Sequence, residues 1–374
     1  MPAIIINILL ISFGICFSIQ LIFLLFINSG FAFRKKKSIV KSIGFPSVSV
    51  IICARNEEKF LEKNLQYVLE QDYPAFEVIV VNDCSTDGTQ EILDALQKKH
   101  NNLRSLIIHE GNVYKHGKKL PLTIGIKNAQ YEYLVFTDAD CRPAGKGWLK
   151  DLISAFDTET EIVLGYGAYA RKGGFVNSLI RMDTFQIGLQ YMSLALAGMP
   201  YMGVGRNLAY KKSLFTKHKG FAPYSHIPSG DDDLFINKAA TRLNTRIAAC
   251  PDCITISEPK ASFKEWVNQK RRHISTAKYY KISTLFVLGI TTLSQYFFWF
   301  SFIVLLFTPY WSIALVFFGV RLLMQTFIYG KAMRKLGESD LLLYSPIIEG
   351  LLLFVFYPGV AISNLLFKEV KWKT

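Results

Sequence analysis

Apolar residues are distributed along this chain in three regimes. Residues 3–27 form a nearly uncharged apolar run, about as long as a helix needs to cross a ~30 Å hydrocarbon core. From residue 46 to about 263 the runs are short and separated by amphipathic stretches. Long runs return at 283–307, at 310–329 with Arg321 inside it, and at 341–367, interrupted by Pro346, Glu349 and Pro358. The last reads as one kinked helix or as a re-entrant hairpin.

The middle region alternates strand and helix signals. Residues 48–54 are β-rich, and Asn56 is placed to cap a helix carrying Leu61, Leu65, Val68 and Leu69 on one face. A strand at 76–81, a turn of capping residues at 82–89 and a helix bearing Ile92, Leu93 and Leu96 follow. A third strand is expected at 106–108, a third helix at 122–129, and a buried strand at Tyr133-Leu134-Val135-Phe136. This order predicts an α/β fold with a mostly parallel sheet and helices on both faces. Ligands of such sheets bind beyond the carboxyl ends of the strands. Ala54-Arg55-Asn56-Glu57, Asn82-Asp83 and Asp138-Ala139-Asp140 all sit at such ends. They are expected to converge on one acidic rim, suited to a metal and a hydrogen-bonded nucleotide. Asp83 and Asp87 are also good helix caps.

Charge changes the picture at the ends of the apolar runs. The chain has 43 Lys and Arg against 29 Asp and Glu, a net charge of +14. Much of the excess lies in Arg34-Lys35-Lys36-Lys37, Lys331-Ala332-Met333-Arg334-Lys335 and the tail Lys368-Glu369-Val370-Lys371-Trp372-Lys373. Such clusters attract anionic membrane lipids. No basic stripe interleaved with aromatics occurs in the middle region, so nucleic acid is not an expected partner. Basic residues follow the first apolar run rather than precede it, which predicts a retained anchor with the next domain in the cytosol. A cytoplasmic 331–335 loop sends 283–307 outward and 310–329 back. The basic tail prefers the cytoplasm, which argues for the hairpin at 341–367. The resulting layout is an anchor at 1–33, a cytoplasmic domain at 34–262, an interfacial helix at 263–282 and a membrane region at 283–374. Six cysteines are expected to be reduced in a cytosolic domain. Cys250-Pro251-Asp252-Cys253 lacks the second ligand pair of a structural zinc site.

The candidate chemistry is acidic. Asp138 and Asp140 are paired carboxylates with no adjacent Lys, and they repel one another unless a cation intervenes. Mg²⁺ or Mn²⁺ is the expected occupant, since hard ions take oxygen ligands and share them with phosphates. Ser229-Gly230-Asp231-Asp232-Asp233 brings three acids to a helix start, more than capping requires, and a carboxyl beside like charges is a candidate general base. Further on, Gln269 and Arg272 share a helix face, and an Arg grips a diphosphate by paired hydrogen bonds.

Taken in order, these segments resemble the family 2 inverting glycosyltransferases of GT-A fold, over roughly residues 47–280. Val80 to Asp87 looks like the family's uridine-binding segment. Gly117-Lys118-Lys119-Leu120-Pro121-Leu122-Thr123-Ile124-Gly125 resembles its G-K-x-x-A-L-N-x-G segment, with Pro121 for Ala and Thr123 for Asn. Asp138-Ala139-Asp140 matches the metal-binding D-x-D, and Gly203-Val204-Gly205-Arg206-Asn207 the loop lining the donor sugar. Gly230-Asp231-Asp232 matches the block whose last acid is the base, and Gln269-x-x-Arg272-His273 resembles Q-x-x-R-W with His273 for Trp. The apolar layout is similar to ceramide glucosyltransferase and hyaluronan or cellulose synthase.

The resemblance implies metal-dependent, inverting transfer of one sugar from a UDP-sugar to a lipid-linked or other membrane acceptor. Asp232 is the implied base. Ala54, Glu57, Asp83, Asp87, Lys118 and Asp138 are the implied nucleotide residues. Asp231, Gln269, Arg271 and Arg272 serve the donor diphosphate, and Asp138 and Asp140 the metal. Residues 175–199 carry apolar positions at helical spacing, read as a core helix or as an interfacial helix at the acceptor entrance. The expected location is a bacterial plasma membrane. Two rival readings are a processive polysaccharide synthase, disfavoured by His273, and a catalytically dead membrane scaffold, disfavoured by the intact acids.

Overall fold

The computed structural model describes residues 3–35, 44–109 and 117–366. Lys36, Lys37 and the basic tail at 368–373 lie outside them. α1 (Ile4–Ala32) is, among the described residues, the first of four helices long and apolar enough to cross a membrane. Next come β1 (Val48–Ala54), α2 (Glu58–Leu69), β2 (Phe76–Asp83), α3 (Thr89–Gln97), β3 (Leu103–Ile108), α4 (Lys119–Asn128), β4 (Tyr133–Asp138) and β5 (Cys141–Pro143). Then follow α5 (Trp148–Ile153), β6 (Ile162–Leu164), β7 (Gly167–Tyr169), α6 (Phe175–Leu196), β8 (Leu208–Lys211) and α7 (Lys212–Lys217). The domain closes with α8 (Asp233–Ala239), β9 (Thr245–Ile247) and β10 (Thr255–Ser257). α9 (Phe263–Ile274) leads into the other three long apolar helices, α10 (Ile282–Leu305), α11 (Trp311–Leu336) and α12 (Ser345–Leu366).

Seven strands form one sheet in the order β3-β2-β1-β4-β8-β6-β9. β1 to β4 pair in parallel, and β8 runs antiparallel to β4 and β6. This is the mostly parallel α/β sheet the run pattern predicts. All of β1 is buried, as a strand covered on both faces must be. Ile51 and Cys53 face one core, and Val50 and Ile52 face the other. α4 packs tightly because residue 125 is glycine: a β-carbon there would sit 2.7 Å from the Ile51 Cγ2 methyl.

On the α4 face the core continues into the long helices. Leu24 of α1, Met333 of α11 and Leu352 of α12 share a core with Ile51 and Phe136. α6 is the joint, a helix buried along most of its length, with Phe185 edge-on to Tyr329 of α11 at 5.3 Å. It is therefore the core helix of the two readings. Arg181 of α6, 4% exposed, donates to Glu338 and Asp340 at 2.5 and 2.7 Å in the α11–α12 connection, and Tyr166 donates to Glu338 at 3.2 Å.

Several expectations are corrected. Residues 331–335 are the end of α11 rather than a loop: nothing breaks the helix before Gly337 (φ +74°), and Arg334 and Lys335 favour its negative end. Of the two readings of 341–367 the single helix holds, as Ser345–Leu366, and the hairpin that the basic tail favoured does not. Pro346 sits in its first turn, a π-helical segment at Leu352–Phe356 precedes Pro358, and Glu349 is paired with Arg321. Asn56 does not cap α2; it adopts φ 53°, and its Oδ1 accepts from the Thr86 N–H at 2.8 Å. Cys250 and Cys253 form a disulfide across a single 3-10 turn rather than staying reduced.

The Arg181 cluster is open to test. Arg181→Met is expected to lower the thermal midpoint in detergent, for a loss of about 3 kcal/mol, because it strands the buried Glu338 carboxylate. Burial pushes Glu338 up to about 7, so it takes a proton below that pH. The loss is expected to shrink at pH 6 and to be larger at pH 8.

Candidate active site

Parallel pairing sets the strand ends side by side. Cys53 of β1 is in register with Asp138 of β4, and Ala54 with Asn82 of β2. The ends border a cavity of about 1010 Å³. Glu57, Lys118, Asp138 and Asp140 line its sheet side, Asp231 and Asp232 a second side, and Gln269, Arg272 and His273 a third. Residues from five separate segments are thus brought to one space.

Other expected residues lie elsewhere. Ala54 and Asp83 are fully buried beside the cavity and do not line it. Asp87 is engaged in capping: its carboxylate accepts from the Glu58 N–H at 3.2 Å and the Thr89 N–H at 3.1 Å. Arg271 turns away, with its Nε donating to Asn364 of α12 at 3.1 Å. The orientation of α9 explains this. Trp266 stacks on Phe356 of α12 at 3.8 Å, which fixes which face of the helix meets α12 and leaves Gln269, Arg272 and His273 on the cavity.

Asp138 is not the unneutralised acid the local sequence implies. Lys118 donates to its Oδ1 and lies 3.8 Å from Asp231. Burial pushes both carboxyls of the pair up, but on Asp138 the Lys118 ammonium, joined by the charges of Arg206 and Lys260, offsets it and holds the carboxyl below its usual range. Asp140 has the charge of Asp138 added to burial and stays above its usual range. The donor atoms of Asp138, Asp140 and Cys141 lie within 4.8 Å of one another. The Cys141 thiol shares a hydrogen bond with Ser257 at 2.8 Å and is pushed well up by burial. It stays neutral and suits a hard ion poorly. The two carboxylates fit Mg²⁺ or Mn²⁺.

Asp232 starts α8. Its Oδ1 accepts from the Asp233 N–H at 2.8 Å and its Oδ2 from the Gly205 N–H at 2.7 Å. Each oxygen keeps a second lone pair. Burial, then the charges of Asp231 and Asp233, push its carboxyl up to about 7. Asp233 serves structure: it accepts from Thr276 and Tyr280 at 2.5 and 2.7 Å, tying α8 to the segment after α9.

Arg206 has no role in the sequence reading beyond its place in a quoted loop. Its guanidinium lies over the Tyr169 ring at 4.3 Å, and Tyr169 in turn accepts from Gln269 at 3.1 Å. A β-carbon at Gly167 would collide with the Arg206 stem. The Arg206 Nε is buried without a hydrogen-bond partner among the described residues. Lys260 also lines the cavity, and its charge, like that of Arg206, bears on Asp138 and Asp140. Neither cation is marked by local sequence. The cavity also continues between the long apolar helices to Arg321, Gln325 and Glu349.

Residues 49–222 match the family model described as Glycosyl transferase family 2. The poly(ribitol-phosphate) beta-N-acetylglucosaminyltransferase TarS of Staphylococcus aureus is 26% identical over 245 residues, 65% of this chain and 40% of that protein. The putative teichuronic acid biosynthesis glycosyltransferase TuaG of Bacillus subtilis is 33% identical over 106 residues, 28% of this chain and 38% of that protein. This chain therefore spans about two fifths of these curated relatives. A mannosyltransferase from Pyrobaculum calidifontis, solved in complex with GDP-Man and Mn²⁺, shares the fold with a TM-score of 0.59 at 18% identity, covering 96% of this chain and 98% of its own. Residues 49–222, most of the α/β domain, are thus a glycosyl transferase family 2 segment, and the chain has the GT-A fold.

Proposed function

We propose that this chain transfers a single sugar from a UDP-sugar to a hydroxyl of a lipid or other membrane-held acceptor, with inversion at the anomeric carbon. The four long apolar helices would span a bacterial plasma membrane, with the α/β domain on its cytoplasmic side. One observation carries the reading. Asp232, a carboxyl pushed up to about 7, shares a cavity with the Asp138–Asp140 pair, Arg206 and Lys118. Proton acceptance and anion stabilisation are thus available in one space. The named relatives are bacterial sugar transferases, and the structural neighbour holds a nucleotide sugar.

Glu57, on the sheet side, serves the nucleoside end. Asp138 and Asp140 would hold Mg²⁺ or Mn²⁺, which supplies Lewis-acid neutralisation of a diphosphate. Lys118 and Arg206 add fixed positive charge on the same side, and Arg272 with Gln269 closes the third wall. Such preorganised charge costs no reorganisation as the leaving group develops its own. Asp232, fixed by two backbone N–H groups, takes the proton from the acceptor hydroxyl. The oxygen forms its bond to the anomeric carbon as the bond to the diphosphate breaks, and UDP departs with the electron pair. One displacement inverts the centre, so no second nucleophilic carboxylate is needed. His273, held neutral by burial and the neighbouring Arg272 charge, replaces the family's Trp, which supports single transfer over polymerisation.

Three outcomes are expected. Asp232→Asn lowers kcat roughly 10²–10⁴-fold while UDP affinity, measured by calorimetry, changes little; full turnover would sink the base assignment. The log of kcat/KM rises with pH through about 7, because Asp232 acts deprotonated; a profile flat from pH 5 to 8 would contradict it. Asp140→Asn raises the Mn²⁺ concentration needed for half-maximal UDP release at least tenfold, and unchanged metal dependence would remove Asp140 from the metal site.

A further inference from the structure

The inner end of the cavity lies between the long apolar helices. Gln20 of α1, Arg321 and Gln325 of α11 and Glu349 of α12 line it, and they are only 6%, 4%, 3% and 5% exposed. Ionisable side chains such as Arg321 and Glu349 within apolar spans are costly and rare, and they point to a functional site. Arg321 donates to Glu349 Oε1 at 3.0 Å and to the Gln20 Oε1, and Gln325 donates to the other Glu349 oxygen. Gln20 in turn donates to the Ser294 carbonyl at 3.0 Å. One acceptor is left over: Gln325 Oε1 is buried with no hydrogen-bond partner among the described residues. A buried acceptor left unmet is destabilising.

Resting on the transfer reading above, we propose that this cluster is a subsite for the uncharged, hydroxyl-bearing head group of a lipid acceptor. The charges decide its class. Arg321 is already matched by Glu349, so a phosphate or carboxylate would meet the Glu349 charge with no spare cation. An ammonium would meet Arg321. An uncharged donor satisfies Gln325 Oε1 at no electrostatic cost. Gln186, Gln190 and Gln295 line the same cavity, amides that pair with hydroxyls in either direction. A lipid is favoured over a soluble chain by a second cavity. An almost wholly apolar groove of about 360 Å³, lined by Cys16, Ile19, Leu285, Ile290 and Phe297, runs between α1 and α10. Ser294 lines both cavities, so an acyl chain in the groove puts its head group beside Gln20.

The test uses the full chain in detergent with Mn²⁺ and the UDP-sugar giving fastest UDP release. No UDP release under any condition overturns the transfer reading, and this inference with it. With release present, monoglycosyl diacylglycerol is expected to accept the sugar. Gln325→Met is expected to raise the KM for that lipid at least tenfold while the KM for the nucleotide sugar stays within twofold. An unchanged lipid KM overturns the subsite. So does a long water-soluble product, or a prenyl phosphate that outcompetes the neutral glycolipid. If Gln325→Met does not fold, the unaltered protein answers the same question. A competitor glycolipid whose head-group hydroxyls are methylated is expected to bind at least tenfold more weakly than one with them free, and equal competition overturns the proposal.

Discussion

Five carboxylates, Asp138, Asp140, Asp231, Asp232 and Asp233, are collected where the strands of one sheet end, and the site's architecture is arranged around their mutual repulsion. Lys118 is held between Asp138 and Asp231, and Asp233 is drawn aside by two hydroxyls. Asp232 is met by backbone N–H groups rather than a cation. The outcome is a graded set of acids. Asp138 is held low, Asp140 sits above its usual range, and Asp232 is the most reluctant to lose its proton. Like residues acquire unlike roles because their surroundings differ. The neighbouring Lys119 steadies the same region, donating to the Tyr224 and Ile227 carbonyls of the segment that delivers Asp231.

The second organising element is α6. It lies under the sheet, contributes to the cavity wall through Thr184, Gln186 and Gln190, and bonds to the long apolar helices through Arg181 and Asp183. Lys270 of α9 pairs with Asp183, and Tyr357 of α12 donates to the same carboxylate at 2.7 Å. The helix carrying Gln269 and Arg272 is therefore positioned from the sheet side and from α12 at once.

Much of this was legible in the chain, for identifiable reasons. β1 and β4 were readable because strands buried on both faces have no polar alternation to confuse the signal. The rim was readable because strand carboxyl ends share an edge. The same rule does not say which way a side chain turns, so Asp83 and Asp87 fall on the correct edge yet outside the cavity. Lys118 was invisible as the partner of Asp138 because the two are brought together only by α4 packing on β1. Arg271 was misplaced because helix spacing gives relative faces, whereas the stacking of Trp266 on Phe356 sets the absolute one. The 341–367 segment stayed open between one helix and a hairpin because two prolines and a glutamate look like interruptions until a first-turn position, a π-helical segment and a buried arginine account for each.

The shared core of the α/β domain and the long helices has a bearing on how the molecule is put together. Phe185, Tyr166 and Ile51 share one apolar interior with Met333 and Leu352, so no plane separates a catalytic half from an anchoring half. The four long helices are not a tether to which a self-sufficient enzyme is attached. They are a wall of that interior, and the apolar core of the α/β domain is completed only against α1, α11 and α12.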